Sequence, residues 1–474
     1  MKSKLKLFSL FIFSIFVFVA IYFLGKAFFQ SQAMVQFIWN VNTFRGMFSH
    51  LPENLPKEHI IGSYAFAFKD YYAHLPRTVS QNADYYAFLI ASLSAVHVFL
   101  LMKGGNRANQ IQTVKRIFYY VAIVLLGLGI RLFFAYHTTG NHDMVSWYID
   151  KDVLEHGENI FSVTDRYNYS PFWLLALKLL MKINHLLPRF SFMFIVRAFL
   201  TLIDLVTLWF VSRTAQLIGF SGLKAAALFF LNPVTIIISG YHGQFDNIAI
   251  LFLFVAIYLV IRYGRKAAYV AWFLVTLGIV AKHEILQQSL ILLRHMKRSN
   301  AKIAALFLST VLLFLLCFLP YWREGSARIL GNVFRYGGIS RPYGFIFLDF
   351  NSAAAIIHKY LFIALLLLWP FCFGAKQLIK SSLIGMLLFL TFTSGISAQQ
   401  FVLPIALAAL QPSAGFYLFT ITASLFLFGN IDELKMPFFE PIGWSCVWIA
   451  VSVWFILELK QKNTPAKFGF PEVF

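Results

Sequence analysis

The chain consists of long apolar runs separated by short polar segments, from residue 7 to residue 458. A membrane-spanning helix needs about 20 predominantly apolar residues, and fewer where neighbouring helices shield it. The pattern therefore predicts an all-α polytopic membrane protein with about 14 transmembrane helices. The predicted spans lie near 7–25, 86–102, 118–136, 191–212, 224–239, 246–261, 267–281, 284–295, 303–321, 352–373, 382–394, 400–411, 414–429 and 441–458.

Positive charge in the short loops predicts how these spans are oriented. Lys and Arg gather in the loops 103–117, 262–266 and 294–302, and short basic loops usually face the cytoplasm. An even number of spans then places both termini in the cytoplasm. Three long segments are left on the outer side of the membrane: 30–85, 137–190 and 322–351.

Composition narrows the classes of function. Hydrophobic residues make up 59% of the 474 and charged residues 13%, whereas a soluble domain carries about 25% charged residues. The net charge of +20 falls almost wholly in the predicted cytoplasmic segments. We therefore expect membrane lipids as partners, and no nucleic acid. The three cysteines lie in apolar stretches and predict neither a metal site nor a redox site.

Residues 171–188 allow two interpretations. The segment is apolar enough to span the membrane, but a span here would place the basic loop 262–266 outside. Lys178 and Lys182 are four residues apart and share one helix face. We therefore predict an amphipathic helix that lies at the outer interface.

The outer segment 137–170 follows directly after a predicted span and is rich in acids and aromatics. Asp143 lies within a few residues of the predicted membrane surface, where a carboxylate can act as a general base on a bound hydroxyl. Tyr169 belongs to a set of aromatic side chains suited to pack on sugar rings. The alternative is a solvated acidic loop with an interfacial aromatic belt.

A second polar cluster occupies the short outer loop 240–247, GYHGQFDN. It holds His242, Gln244 and Asp246, and polar groups at membrane depth are costly and tend to be functional. Helix capping by Asp246 or Asn247 is the alternative. After the next hairpin comes Lys282, which suits an anionic group such as a phosphate or, equally, an internal pair with Glu284.

The outer segment 322–351 carries four arginines. Arg323 and Arg341 are candidates to bind phosphate oxygens, the usual partners of guanidinium groups. The alternative is that this loop is cytoplasmic. Within a predicted span, Arg197 and Asp204 are seven residues apart on one helix face and predict a structural ion pair.

Three classes of function fit a protein with these features. A carboxylate, a polar cluster, a lysine and an arginine-rich loop on one side of the membrane suit an enzyme that joins an anionic lipid donor to a hydroxyl acceptor. A transporter or flippase would often show internal repeats and broken midplane spans, and no repeat is visible. A sugar-lipid polymerase or ligase would share the basic outer loop without requiring Asp143.

The order of these motifs resembles the GT-C superfamily of membrane glycosyltransferases, and most nearly the ER glucosyltransferases that extend the dolichol-linked oligosaccharide. The likeness covers roughly 118–405. It is carried by Asp143 after a core span, Tyr169-Ser170-Pro171 where the family has Tyr-Pro-Pro, Arg197 with Asp204, Asn232-Pro233, His242-Gly243-Gln244-Phe245-Asp246, Lys282, Leu319-Pro320 with Arg323, and SAQQF at 397–401, which includes Gln400.

The resemblance implies a GT-C type helical bundle in three parts. Residues 1–117 form an N-terminal two-span extension, 118–321 form the core with its first outer catalytic loop at 137–190, and 322–474 form the arginine-rich loop and the C-terminal helices. It also implies a multi-pass location in a bacterial inner membrane or an ER membrane, with the active site on the outer or luminal side.

The implied reaction is an inverting transfer of a hexose, glucose or mannose, from a polyprenyl-phosphate donor to a lipid-linked glycan or other acceptor, without a metal or other cofactor. Asp143 would deprotonate the acceptor hydroxyl. The remaining roles are donor phosphate binding by Arg323, Arg341 and Lys282, and sugar or acceptor binding by His242, Gln244, Asp246, Tyr169 and Gln400.

Overall fold

The computed structural model describes residues 113–461 with short gaps, together with six positions between residues 15 and 26. The gaps are 139, 141, 165, 297–298, 336–352, 373–376, 394–395 and 430–438. The predicted span near 86–102 and the outer segment 30–85 lie outside the described residues. Within the described part every regular element is a helix, which agrees with the predicted all-α class.

The first half of the described chain holds nine α-helices. They are α1 (Thr113–His137), α2 (His142–Glu155), α3 (Ile160–Val163), α4 (Phe172–Leu186), α5 (Phe192–Leu217), α6 (Gly222–Phe230), α7 (Pro233–Ile237), α8 (Asp246–Tyr263) and α9 (Ala268–Ala281). A π-helical turn, Ile238–His242, continues α7. A 3₁₀ turn, Gly264–Ala267, joins α8 to α9 and carries basic side chains.

The second half continues the helical pattern. After the 3₁₀ turn His283–Ile285 come α10 (Leu286–His295), α11 (Asn300–Leu316), α12 (Leu319–Arg328) with its π-helical extension Ile329–Phe334, α13 (Ala353–Cys372), α14 (Leu378–Phe392), the 3₁₀ turn Ala398–Val402, α15 (Ile405–Leu410), α16 (Ala414–Gly429) and α17 (Phe439–Lys460).

Four helical segments of the described chain are long and apolar enough to cross a membrane, and up to six if two bent pairs each count as one span. The four are Arg116–His137, Phe192–Leu217, Asp246–Ala281 and Gly443–Lys460. The described helices are thus consistent with an α-helical membrane protein. The larger predicted number of about 14 spans is not confirmed, because several apolar helices, such as Leu378–Phe392, are shorter than a full span.

The two bent pairs have a local cause in the sequence. Between α6 and α7 the axis turns by 48°, where the Asn232 side chain accepts a hydrogen bond from the Val234 amide and Pro233 occupies the first helical position. Between α11 and α12 the turn is 75°, and Pro320 lies at the start of α12. Both breaks coincide with the Asn-Pro and Leu-Pro pairs in the sequence.

The apolar side chains form two cores. The larger core runs through the helices from α1 to α17. The smaller one joins the outer segments and contains Trp147 of α2, Phe161 of α3, Trp173 of α4, Phe245 before α8 and Phe318 before α12. Burial of each large aromatic ring contributes on the order of 2 kcal/mol. This second core therefore fixes the outer segments on the helical bundle.

The predicted amphipathic segment forms α4. Trp173 and Leu177 are fully buried, whereas Leu175 and Leu179 are exposed. Lys178, also exposed, lies between them along the chain. The helix therefore packs on the bundle through one face and presents leucines and lysines on the other, an arrangement typical of an interfacial helix.

Arg131 and Asp204 form a buried ion pair at the centre of the bundle. Nε of Arg131 lies 3.3 Å from Asp204 Oδ2 and also donates to Ser239 Oγ at 3.0 Å. The other carboxylate oxygen, Oδ1, accepts a hydrogen bond of 3.2 Å from the Asn247 amide. The terminal guanidinium nitrogens donate to three further acceptors: Thr235 Oγ1 at 2.9 Å, the Phe230 carbonyl at 2.7 Å and the Gly127 carbonyl at 3.2 Å.

The predicted pair between Arg197 and Asp204 is therefore wrong, because Asp204 is paired with a different helix. Residues seven apart share a face but are separated by about 10 Å along the helix axis. The Arg197 guanidinium instead donates to the carbonyls of Ala135 and Thr138, each at 2.7 Å, at the C-terminal end of α1. Helix C-terminal carbonyls attract a cation.

Candidate functional site

Asp143 lies in the first turn of α2, where the helix dipole favours a negative charge. The next residue, Met144, packs against Gly243 in the polar loop predicted from the sequence. Gly243 has φ +66°, and a Cβ there would clash with the Met144 sulfur. Glycine at this position thus allows the turn and the close approach of the helix that carries Asp143.

Aromatic side chains fasten α2 to the same loop. The Trp147 indole nitrogen donates a 2.9 Å hydrogen bond to the Gly243 carbonyl. Its ring lies 5.7 Å from that of Tyr169 and 5.8 Å from that of Phe245, centroid to centroid. Phe245 in turn stacks on Trp173 at 4.3 Å. These four rings form a wall beside the charged side chains described next.

Lys282 and Asp246 form an ion pair, with Nζ 3.1 Å from Oδ2. Both side chains are buried: Asp246 is 0% exposed and Lys282 2%. The ammonium also lies 4.2 Å from the centre of the Tyr169 ring and 4.5 Å from that of Phe245, where a cation is attracted to the ring face. The positive charge of Lys282, a predicted phosphate ligand, is thus already neutralised by Asp246, a predicted sugar ligand.

Gln400 extends this cluster from the C-terminal half of the chain. Its Nε2 donates to Glu284 Oε1 at 3.2 Å, and its Oε1 accepts from the Ser397 amide at 3.3 Å. Glu284 acts electrostatically on both Asp246 and Lys282. The structure therefore brings four predicted site residues together: Tyr169, Asp246, Lys282 and Gln400. From the sequence, Glu284 is predicted only as a possible ion-pair partner of Lys282. Its contact with Gln400 cannot be predicted from any local pattern in the sequence.

His242 and Gln244, the other predicted ligands of sugar or acceptor, are buried in the same turn. Neither side-chain atom of the Gln244 amide is hydrogen-bonded to any described residue. The capping alternative is wrong for this loop, because the N-cap of α8 is Phe245, without a side-chain hydrogen bond. Asn247 instead donates to the Leu200 carbonyl at 2.8 Å.

Two further titratable side chains, Asp150 and Arg166, lie in the acidic segment that carries Asp143. Asp150, seven residues later on the same helix, is fully buried, and burial raises its pKa well above the usual range while the charge of Arg166 opposes that rise. The charge of Arg166 also interacts with that of Asp143. Burial lowers the pKa of the Arg166 guanidinium, whereas the charges of Asp143 and Asp150 raise it. Neither Asp150 nor Arg166 is among the site residues predicted from the sequence. The seven-residue spacing of Asp143 and Asp150, which places both acids on one helix face, is the sequence feature that could have identified Asp150.

The arginine-rich segment contacts the acidic one. The Asn159 side-chain amide donates to the Tyr321 carbonyl at 3.1 Å, and Arg328 donates to the Ser162 carbonyl. Gly325 packs directly on Phe161. The segments that begin after α1 and α11, both predicted to face the outer side, are therefore in contact.

The predicted phosphate ligands are not brought together in the described residues. Arg323 is exposed on α12, whereas Lys282 is buried in the ion pair. Arg341 lies outside the described residues. Arg328, which is not among the predicted phosphate ligands, contacts the acidic segment through the Ser162 carbonyl.

Comparison with known proteins does not identify a relative: no protein-family model matches the chain, and no curated protein sequence matches it. The function is therefore proposed from the arrangement of the side chains and from the motifs in the sequence.

Proposed function

We propose that the protein is a hexosyltransferase that uses a polyprenyl-phosphate sugar as donor. It transfers glucose or mannose, with inversion, to a hydroxyl of a lipid-linked glycan or similar acceptor on the outer or luminal side of the membrane. The fold is then a GT-C type bundle in which the short apolar helices complete the set of about 14 spans.

One observation carries this proposal. Tyr169, Asp246, Lys282 and Gln400 come from four separate motifs and meet in one buried cluster. The helix that carries Asp143 in its first turn is fastened to that cluster through Trp147. Buried ionisable groups beside a polar loop are typical of functional sites rather than of lipid-facing helices.

In the proposed reaction Asp143 takes the proton of the acceptor hydroxyl. The resulting oxygen forms a bond to the anomeric carbon, and the bond from that carbon to the phosphate oxygen breaks, so that polyprenyl phosphate leaves with the electron pair. Correctly placed general bases contribute typically 10²–10⁴-fold to such reactions. Arg166 places positive charge near Asp143.

Negative charge on the departing phosphate grows in the transition state and calls for fixed cations. Arg323 and Arg341 remain our assignment for this role, on the segment that contacts the acidic one. Arg323 is exposed and therefore accessible to a lipid phosphate at the membrane surface. His242, Gln244 and Tyr169 are assigned to sugar or acceptor hydroxyls.

A transporter or flippase of a lipid-linked sugar is the second candidate. Its support is the pair of buried charge clusters inside the bundle, Arg131 with Asp204 and Lys282 with Asp246. Intramembrane charges also mark substrate pathways in transporters. Such a protein would move the sugar lipid without changing it.

The test uses membranes that contain the expressed protein and labelled polyprenyl-phosphate glucose or mannose. We expect a labelled lipid-linked or glycan product, and a fall of about 10²–10⁴-fold in transfer for Asp143→Asn at matched expression. Asp152→Asn on the same helix is the control and should retain transfer. If the label stays in the polyprenyl-phosphate donor while that donor crosses the membrane, the transporter is favoured.

A further inference from the structure

The buried cluster contains two carboxylates and one ammonium. Asp246 Oδ2 is 3.1 Å from Lys282 Nζ, and Glu284 Oε1 is 3.2 Å from the Gln400 amide nitrogen. Lys282 and Glu284 are two residues apart and are both electrostatically coupled to Asp246. The formal charge of the cluster is therefore negative.

Part of the hydrogen-bonding capacity of this cluster is unused. Asp246 Oδ1 and Glu284 Oε2 have almost no contact with solvent, and neither accepts a hydrogen bond of standard geometry from a described residue, although each carboxylate interacts with its own backbone amide. Buried polar atoms are nearly always satisfied by protein, water or a ligand. These two carboxylate oxygens can therefore accept hydrogen bonds from a ligand that brings O–H or N–H groups.

The charge of the cluster limits which ligand fits. A phosphate or a sugar carboxylate would bring a further negative charge next to Asp246 and Glu284 in a buried place, where unpaired charges are strongly disfavoured. The other titratable side chain that acts on Glu284 is His283, which is exposed. Lys282 offers no surplus positive charge, because Asp246 neutralises it.

We propose that Asp246 and Glu284 bind hydroxyls of the transferred sugar, that Lys282 holds Asp246 in place, and that Glu284 restricts the donor to neutral hexoses by excluding uronic acids. This inference rests on the proposed function. It assigns Glu284 as a specificity-determining residue and removes Lys282 from the set that binds the donor phosphate.

The experiment compares two donors of equal lipid length, polyprenyl-phosphate glucose and polyprenyl-phosphate glucuronate. Binding is measured by competition with a labelled glucosyl donor on the purified full-length protein, and transfer is measured in parallel. The wild type should prefer the glucosyl donor by roughly tenfold or more, and Glu284→Gln should reduce that preference by a similar factor. Glu284→Asp, which keeps the charge, should retain the preference, as should the exposed control Glu158→Gln.

Each outcome decides a different point. Equal binding of the two donors to the wild type, or an unchanged preference in Glu284→Gln, would overturn the inference and leave the transferase proposal standing. A Glu284→Gln protein that loses both donors equally, with a normal elution profile, would show that Glu284 only supports the site and would also overturn it. Absence of binding and transfer with both donors would overturn the proposed function, and this inference with it.

Discussion

The two buried ion pairs of the bundle differ in how completely their hydrogen bonds are used. At Arg131 and Asp204 every guanidinium nitrogen donates and both carboxylate oxygens accept. At Lys282 and Asp246 one carboxylate oxygen is left without a donor among the described residues. Burying a charge is costly in both places. We infer that the first pair stabilises the fold and that the second holds a place for a ligand.

The first pair also explains how the polar loop is held. Asp204 accepts a hydrogen bond from Asn247, the last residue of the loop, and shares the Arg131 guanidinium with Ser239, which lies just before the loop. The segment 240–247 is thus held at its start by Arg131 of α1 and at its end by Asp204 of α5. Its middle, with Gln244 and Asp246, retains unused polar atoms.

The largest effect is expected from Arg131→Met. This change leaves Asp204 buried without its cation, and we expect the free energy of unfolding to fall by about 3–5 kcal/mol. Thermal unfolding of the purified protein in detergent, or the yield of folded protein, would measure the loss. Arg213→Met, an exposed arginine on α5, is the control. A melting temperature within the error of the wild type would contradict the structural role of the pair.

A smaller effect is expected from Gly243→Ala. The substitution forces alanine into a left-handed conformation and pushes its Cβ against Met144, at a cost of on the order of 1–3 kcal/mol. Since Met144 follows Asp143, we expect transfer to fall as well. Gly157→Ala is a matched control, because Gly157 has φ +72° but no atom within 4 Å of an added Cβ. Equal losses of transfer in the two variants would show that the contact with Met144 has no role.

The smallest effect is a change in pH dependence at Asp150. Because burial raises the pKa of this carboxyl above that of the unfolded chain, the folded protein binds a proton that the unfolded chain releases. The stability contributed by neutral Asp150 is therefore present at low pH and lost as the pH rises through the folded-state pKa. Asp150→Asn should flatten the decline of melting temperature between acid and alkaline pH, whereas Asp152→Asn should not. If the melting temperature declined with pH equally in the wild type and in Asp150→Asn, Asp150 would not be the buried carboxyl that holds a proton in the folded protein.

The sequence predicted the helices and several site residues, because these depend on local patterns. Apolar runs located α1 and α5, and the spacing of lysines and apolar residues located the amphipathic helix α4. Dense polar residues in a loop of near-minimal length singled out Asp246, and a lone cation between two apolar runs singled out Lys282. Both lie in the buried cluster.

The partners of these residues were not predictable from the sequence. Periodicity shows which residues share a face of one helix, but not which helix that face meets. Asp204 was therefore paired with Arg197 on its own helix rather than with Arg131 on α1. The contact between Glu284 and Gln400 joins residues 116 positions apart and has no local signature. The predicted number of spans is not confirmed for the described residues, because apolar content does not show where a helix ends or bends.

The most direct measurement makes the same substitution in both ion pairs and compares transfer per folded molecule. Asp204→Asn should lower stability but keep transfer within about tenfold of the wild type, because it removes a charge that only supports the fold. Asp246→Asn should lower transfer by roughly 100-fold or more, because it removes an acceptor aimed at the ligand. Equal transfer by the two variants would contradict the distinction between the supporting pair and the binding pair.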